Sequence, residues 1–117
     1  MNLFPQRLIR RVLGIALPVA ALACLALPGK LNAQEAADLY NKKCAVCHAK
    51  DGSGNTAKGK KAKVKPVHEN IAHSEADMIK IVNDGKGDDM DGYKKVYSAD
   101  QIKALVDYYR SLAASSK

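Results

Sequence analysis

Two cysteines and a histidine lie within five consecutive residues, in the segment CAVCH that spans positions 44–48. Three kinds of chemistry use a cysteine pair at this spacing. The pair could be a thiol redox centre, half of a structural zinc site, or the point at which a haem is attached through two thioether bonds. The residues around the segment distinguish these possibilities.

The surroundings of the two cysteines favour haem attachment. A thioredoxin-like pair lies where a strand leads into a helix, whereas this pair falls at the end of a predicted helix in a chain without strand patterns. A zinc site would need His68 and His73 as further ligands and would leave His48 without a role. Cysteines three residues apart on a helical turn point the same way. We therefore predict one haem c, bound covalently through Cys44 and Cys47, with its iron ligated by His48.

A haem iron has a second axial position, and four side chains are candidates for it. Met78 lies beside apolar residues in a predicted helix, where a methionine usually fills the core. His68 and His73 fall in a loop, where exposure or capping would account for them. Met90 lies in a loop rich in glycine and aspartate, so burial alone does not explain it. We predict that Met90 is the second ligand and that the iron is six-coordinate.

Three helices are expected to position these residues. The first is predicted over about 35–48, because apolar residues recur there at helical spacing. The second begins at a capping serine, Ser74, and stops at Gly85, and the third begins at Ser98 and continues to Leu112. The connections are long for so small a domain, and such loops are usually functional. The predicted fold is all-α, with three main helices and long loops wrapped around one haem.

The N-terminal third of the chain has the pattern of a secretory signal peptide. A segment with three arginines and no acid precedes an uncharged run over 12–27, and small residues follow. This order predicts a signal peptide over residues 1–33, with cleavage after Ala33, and one mature domain over 34–117. The apolar run is short for a membrane span and is interrupted by proline. A periplasmic location follows, and an uncleaved N-terminal anchor is the alternative.

Removal of the first 33 residues changes how the charge is interpreted. The whole chain has a formal net charge of +7, whereas residues 34–117 hold 15 basic and 12 acidic side chains, a net charge of +3. That excess is too small to predict nucleic-acid binding. Five lysines lie between positions 58 and 65 and could form a docking face for an acidic redox protein, or simply a solvated loop. We expect a monomer.

Four segments together resemble the small class I c-type cytochromes, which are soluble single-haem electron carriers. The resemblance spans nearly all of residues 34–117. The segments are Tyr40-x3-Cys44-x2-Cys47-His48, Asp51-Gly52-Ser53-Gly54, Gly85-Lys86-Gly87-x2-Met90 and Leu105-Val106-x-Tyr108-x-Arg110-x-Leu112. The resemblance implies that Tyr40 and Tyr108 pack where the first and last helices cross beside the haem. It also implies that the protein shuttles single electrons, through iron ligated by His48 and Met90, and is not an enzyme.

Two positions depart from the family pattern. The family commonly has proline after the methionine ligand, whereas this chain has Asp91, which should loosen the loop. Together with Asp88 and Asp89, this carboxylate should favour ferric iron and lower the reduction potential, although the three acids could instead be solvated or form a weak calcium site. The second departure concerns the proline whose carbonyl orients the imidazole of the proximal histidine in the family. Pro66 is the only proline after residue 33 and is the residue to which the resemblance assigns this role, but it fits the family position poorly.

Two other functions are compatible with the sequence. In a haem peroxidase or gas sensor, Met90 would dissociate and leave the iron open to peroxide or a diatomic gas. Alternatively, the chain could be a haem c subunit of a larger dehydrogenase or oxidase complex, with a membrane oxidase or dehydrogenase as its partner. The sequence does not identify the electron donor or acceptor.

Overall fold

The computed structural model describes residues 32–115, in which six helices are joined by turns and loops, without strands. The predicted all-α fold is confirmed. Nearly all of the predicted signal peptide, residues 1–33, lies outside the described residues, so its cleavage stays a prediction. None of the described helices is long and apolar enough to cross a membrane. The helices are α1 (Ala33–Lys43), α2 (Ala45–His48), α3 (Ala57–Lys61), α4 (Val67–Asn70), α5 (Glu75–Asp84) and α6 (Ala99–Ser115).

The first predicted helix is divided in two at Cys44. Helix α1 begins with a capping box, in which the amide of Glu35 donates to the side chain of Asn32 at 2.8 Å and its carboxylate accepts the Asn32 amide at 3.2 Å. The chain then tightens, because the amides of Cys47 and His48 both bond to the carbonyl of Cys44, at 3.1 and 2.9 Å. The cysteine pair therefore lies on a turn of its own, α2.

The two other predicted helices begin and end where the sequence indicates. The hydroxyl of Ser74 accepts the amide of Asp77 at 3.1 Å and caps α5. That helix ends at Gly85, whose φ of 81° lies in the left-handed region that favours glycine. Ser98 and Gln101 form a reciprocal capping box before α6, with bonds of 2.9 and 3.2 Å. Helix α6 continues to Ser115, three residues beyond the prediction.

The core lies where α1 and α5 pack against α6. Tyr40 of α1 is only 1% exposed, and its ring lies against two tyrosines of α6, with ring centroids 5.2 Å from Tyr108 and 6.0 Å from Tyr109. The predicted packing of Tyr40 on Tyr108 is confirmed. Ile102 and Val106 complete the buried face of α6. This crossing fixes the direction in which α1 delivers the cysteine-bearing turn.

A hydrogen bond from the core reaches the end of that turn. The hydroxyl of Tyr40 donates to the carbonyl of Ala49 at 2.7 Å. Because the Tyr40 side chain is buried, removal of its hydroxyl would leave the Ala49 carbonyl without this hydrogen-bond donor. The bond joins α1 directly to the residue that follows His48.

We predict that Tyr40→Phe lowers the free energy of unfolding of the haem-loaded protein by about 1–3 kcal/mol, because the Ala49 carbonyl loses its donor. The measurement is denaturant unfolding followed by circular dichroism. Tyr108→Phe is the matched control, since its hydroxyl makes no hydrogen bond within residues 32–115. Equal losses for the two variants would contradict the assigned role of the bond.

Candidate functional site

The two cysteines of the CAVCH segment are half-buried thiols that are not joined by a disulfide. Burial, with a smaller effect of nearby Cys47, raises the pKa of the Cys44 thiol to about 11. A redox-active cysteine instead needs a lowered pKa, because the thiolate is the attacking species. The raised pKa of Cys44 thus works against a thiol redox pair, and both sulfurs are free for covalent attachment.

The loop after α2 holds the cysteine turn in place. The hydroxyl of Thr56 donates to the carbonyls of Val46 and Cys47, at 2.8 and 3.2 Å. The amide of Gly54 donates to the carbonyl of His48 at 2.8 Å. These bonds satisfy carbonyls that the end of a short helix leaves without helical partners. The Asp51-Gly52-Ser53-Gly54 segment thus serves to fix the orientation of α2.

Ala49, directly after His48, has an unusual backbone conformation. Its φ of 65° and ψ of 159° lie in a region that only glycine adopts readily. The bond from Tyr40 to its carbonyl, and its own amide bond to the carbonyl of Ala45 at 2.9 Å, hold it there. Helix α2 therefore ends at this residue, directly after His48.

A cavity of about 440 Å³ opens beside the cysteine turn. Cys44, Cys47 and His48 line one part of it, and Met78 and Met90 also border it. Apolar residues from α5 and α6 form much of the remaining wall, among them Ile81, Val82, Leu105 and Val106. The volume falls within the range of small-molecule and cofactor sites, which are typically apolar with few polar groups.

His48 is held as a neutral imidazole at this cavity. Burial lowers its pKa, and its ring meets the ring of Tyr109 edge-on, with centroids 5.2 Å apart and planes at 72°. Its Nδ1 atom is buried without a hydrogen-bond partner among the described residues. The predicted bond to Pro66 is therefore wrong. The Pro66 carbonyl instead accepts the amides of Glu69 and Asn70, because Pro66 caps the short helix α4.

Tyr109 and Asn70 form a polar contact that sequence reasoning missed. The amide group of Asn70 donates to the Tyr109 hydroxyl at 2.8 Å and to the carbonyl of Lys65 at 3.0 Å. Asn70 and Tyr109 are 39 residues apart, and both line the cavity. The bond fixes the ring that packs against His48. No local pattern in the sequence marks Asn70, since a loop asparagine is ordinary.

The structure separates the four candidates for the second ligand position. His68 is exposed and is not part of the cavity wall, whereas His73 is an exposed residue at its border. Met78 is 7% exposed, and its sulfur accepts a hydrogen bond from the guanidinium of Arg110 at 3.4 Å. Met90 is half-buried, lines the cavity and lies on an irregular loop. Met90 therefore keeps the best position among the four.

The loop that carries Met90 is closed on itself. The amide of Lys86 donates to the carbonyl of Met90 at 2.8 Å, which forms an isolated bridge. A side chain at Gly85 would place its Cβ 2.5 Å from the same carbonyl, and one at Gly92 would come within 2.7 Å of the carbonyl of Asn83. Glycine is thus required sterically at both ends of the Met90 loop, which we define as residues 85–93.

The acidic residues of the Met90 loop are solvated. Asp88, Asp89 and Asp91 are all exposed, and the second and third of them border the cavity. Within residues 32–115, no group of three or more His, Cys, Asp or Glu side chains is arranged to hold a metal ion. Neither the calcium site nor the zinc alternative receives geometric support.

The residues of the cavity fit a covalently attached haem. Two unpaired thiols lie on one helical turn, a neutral imidazole follows them, and an apolar cavity of cofactor size opens beside all three. Neutral imidazole is the form that binds iron, and an apolar wall suits the porphyrin face. Fold and site together define a c-type cytochrome domain.

Comparison with known proteins agrees with this class. The sequence model of the family described as "Cytochrome C oxidase, cbb3-type, subunit III" matches residues 31–108, and the chain belongs to this family. A solved structure described as "KustC0563 c-type cytochrome" is similar, with 25% sequence identity and a TM-score of 0.61 over 66% of this chain and 95% of that one. No curated protein sequence matches. The predicted family resemblance, cytochrome c fold and covalent haem c with its iron are confirmed.

We predict that Ala49→Gly stabilises the haem-loaded protein by about 1 kcal/mol. Relief of backbone strain, about 1–3 kcal/mol, exceeds the entropy that glycine adds to the unfolded chain, about 0.4–1 kcal/mol. Thermal unfolding should show a rise in Tm of roughly 5 °C. The control is Ala104→Gly inside α6, which should lower Tm because glycine weakens a helix interior. A fall in Tm for both variants would contradict the assigned strain.

Proposed function

We propose that this protein is a periplasmic electron-transfer protein that shuttles single electrons through a six-coordinate haem c. Cys44 and Cys47 form the thioether bonds, His48 is the proximal ligand and Met90 is the distal ligand. The observation that carries this proposal is the single cavity that all four side chains line. A signal peptide over residues 1–33 would account for the location, because such a segment directs secretion.

The chain's own residues perform three tasks in this function. When bound, the haem supplies the one-electron iron couple, and imidazole with thioether ligation favours the reduced state. The apolar side chains of α5 and α6 exclude water from the iron's surroundings, which limits reorganisation when the charge changes. Tyr109 restrains the His48 ring from the side, and the Lys86–Met90 bridge holds the loop that carries the Met90 sulfur at the cavity. With His48 and Met90 both on the iron, no position would be open to a substrate, and we therefore propose a carrier function and not an enzymatic one.

A second candidate function is that of a haem c subunit in a larger oxidase complex. The family description, which names subunit III of a cbb3-type oxidase, supports it. The haem site would then work as proposed, but the partner would be permanent. A haem peroxidase or gas sensor is a separate alternative, and it requires Met90 to dissociate from the iron. The half-exposed Met90 side chain and the neighbouring Asp91 are compatible with such dissociation.

Spectroscopy of the haem-loaded protein tests the ligand assignment. We predict that the ferric protein shows the far-red absorption band of a methionine sulfur on iron, and that the ferrous protein binds carbon monoxide slowly at neutral pH. Met90→Ala should abolish the band and speed carbon monoxide binding, because the axial position opens. Met78→Leu is the control and should retain the band. A wild-type protein without the band that binds carbon monoxide rapidly would favour the sensor or peroxidase function.

We also propose that the protein docks acidic redox partners through the lysines around the cavity mouth. Lys58, Lys63 and Lys65 border the cavity, and Lys60 and Lys61 are exposed on the same short segment. Of these five, only Lys65 forms an ion pair within the described residues, a long one of 3.8 Å to Glu69. The remaining cations are free to attract a negatively charged surface, which raises association rates at low ionic strength.

Small redox probes test this surface without knowledge of the natural partner. We predict that Lys60→Glu and Lys61→Glu each slow oxidation of the ferrous protein by ferricyanide several-fold at low ionic strength, since the local potential becomes less positive. Oxidation by a cationic cobalt complex should accelerate, and added salt should reduce both effects. Lys103→Glu on α6 is the control, because it changes the net charge by the same amount at a position away from the cavity. Equal effects at all three positions would exclude a local docking face.

A further inference from the structure

An ion pair joins the two ends of the Met90 loop. Asp84, the last residue of α5, contacts two lysines through its two carboxylate oxygens: Lys94 at Oδ1 and Lys80 at Oδ2, both at 2.9 Å. Lys80 lies on the same helix, one turn earlier, whereas Lys94 lies just beyond the loop. The Asp84–Lys94 pair therefore spans residues 85–93, and the Asp84–Lys80 pair does not.

Backbone bonds align the two ends at the same point. The amide of Tyr93 donates to the carbonyl of Val82 at 2.8 Å, and the amide of Lys94 donates to the carbonyl of Asn83 at 3.2 Å. Gly92 lies so close to the last turn of α5 that an added Cβ would overlap with it. The end of the loop is thus docked against the end of α5, with the ion pair on its solvent side.

The carboxylate remains ionised at neutral pH. The hydrogen bonds from Lys94 and Lys80, with their positive charges, hold the pKa of Asp84 at about 2. All three side chains are substantially exposed, so water and salt screen the attraction. The ion pair can therefore favour the closed loop while still allowing the loop to open.

We propose that the Asp84–Lys94 ion pair is a clasp that holds the Met90 loop closed and so retains the Met90 sulfur at the haem iron. This inference rests on the proposed ligation by Met90. It assigns to Asp84 and Lys94 a positioning role, because neither side chain lines the cavity and both act through the loop. The clasp supplies a restraint at a loop that contains no proline, since residues 85–93 are GKGDDMDGY.

The matched control is built into the structure. Lys80→Gln and Lys94→Gln remove the same charge and a contact of the same length from the same carboxylate. Only Lys94→Gln releases the loop. Any effect of net charge, or of a changed electrostatic field around Asp84, should be similar in the two variants. An effect of the clasp should appear only in Lys94→Gln.

The experiment is a titration of the ferric haem-loaded protein with free imidazole, which replaces the methionine and bleaches the far-red band. Because imidazole binds only when the loop has opened, its apparent Kd reports the opening equilibrium. We expect Lys94→Gln to lower the apparent Kd roughly two- to five-fold, the effect typical of one exposed ion pair. Lys80→Gln should leave the apparent Kd unchanged. Lys94→Arg, which keeps the positive charge, should have the wild-type apparent Kd. In about 1 M salt the wild-type and Lys94→Gln values should converge.

The outcomes separate the clasp from the ligation on which it rests. A wild-type protein without the far-red band would overturn ligation by Met90, and with it the clasp. A wild-type protein with the band, but with equal apparent Kd values for Lys80→Gln and Lys94→Gln, would overturn the clasp alone. A fall in Tm with no change in apparent Kd for Lys94→Gln would also overturn it, because a merely structural pair changes stability without changing access to the iron.

Discussion

The site depends on the crossing of α1 and α6 and on one hydrogen bond that leaves it. Tyr40 is buried between the helices, and its hydroxyl reaches the carbonyl of Ala49 at 2.7 Å. Because α1 leads directly into the cysteine turn, the crossing sets where the two thiols and His48 point. The bond then fixes the backbone after the turn, at a residue held in a conformation unusual for alanine. The packing of α1 against α6 thus also sets the geometry of the site.

Part of the cavity wall is built from short helices that cannot be stable alone. Helices α2, α3 and α4 have only four or five residues each, far below the length at which an isolated helix forms in water. They persist because side chains and loops satisfy their ends, as Thr56 does for the carbonyls of α2. Such a small domain buries a limited core, and a covalently bound cofactor adds the apolar surface that it lacks.

The two sides of the cavity are held by different means. On the His48 side, a short helical turn, a strained alanine and the Tyr109 ring leave little freedom. On the Met90 side, an irregular loop is held by backbone bonds, close glycine contacts and an exposed ion pair. Exposed ion pairs are weak and sensitive to salt. In the proposed function both ligands stay bound, so the Met90 side is where carrier and sensor functions would diverge.

The sequence alone determined the haem chemistry and the three longest helices, α1, α5 and α6, whereas the short helices α3 and α4 fell within a predicted loop. The CAVCH spacing, the capping serines Ser74 and Ser98, and Gly85 are local signals, and local signals act through backbone geometry that neighbours along the chain define. The break at Cys44 and the Asn70–Tyr109 bond required the tertiary structure. So did the failure of the Pro66 carbonyl to reach His48, because that carbonyl is engaged by its own short helix. Contacts between distant residues depend on how the helices pack, and no pattern along the chain encodes them.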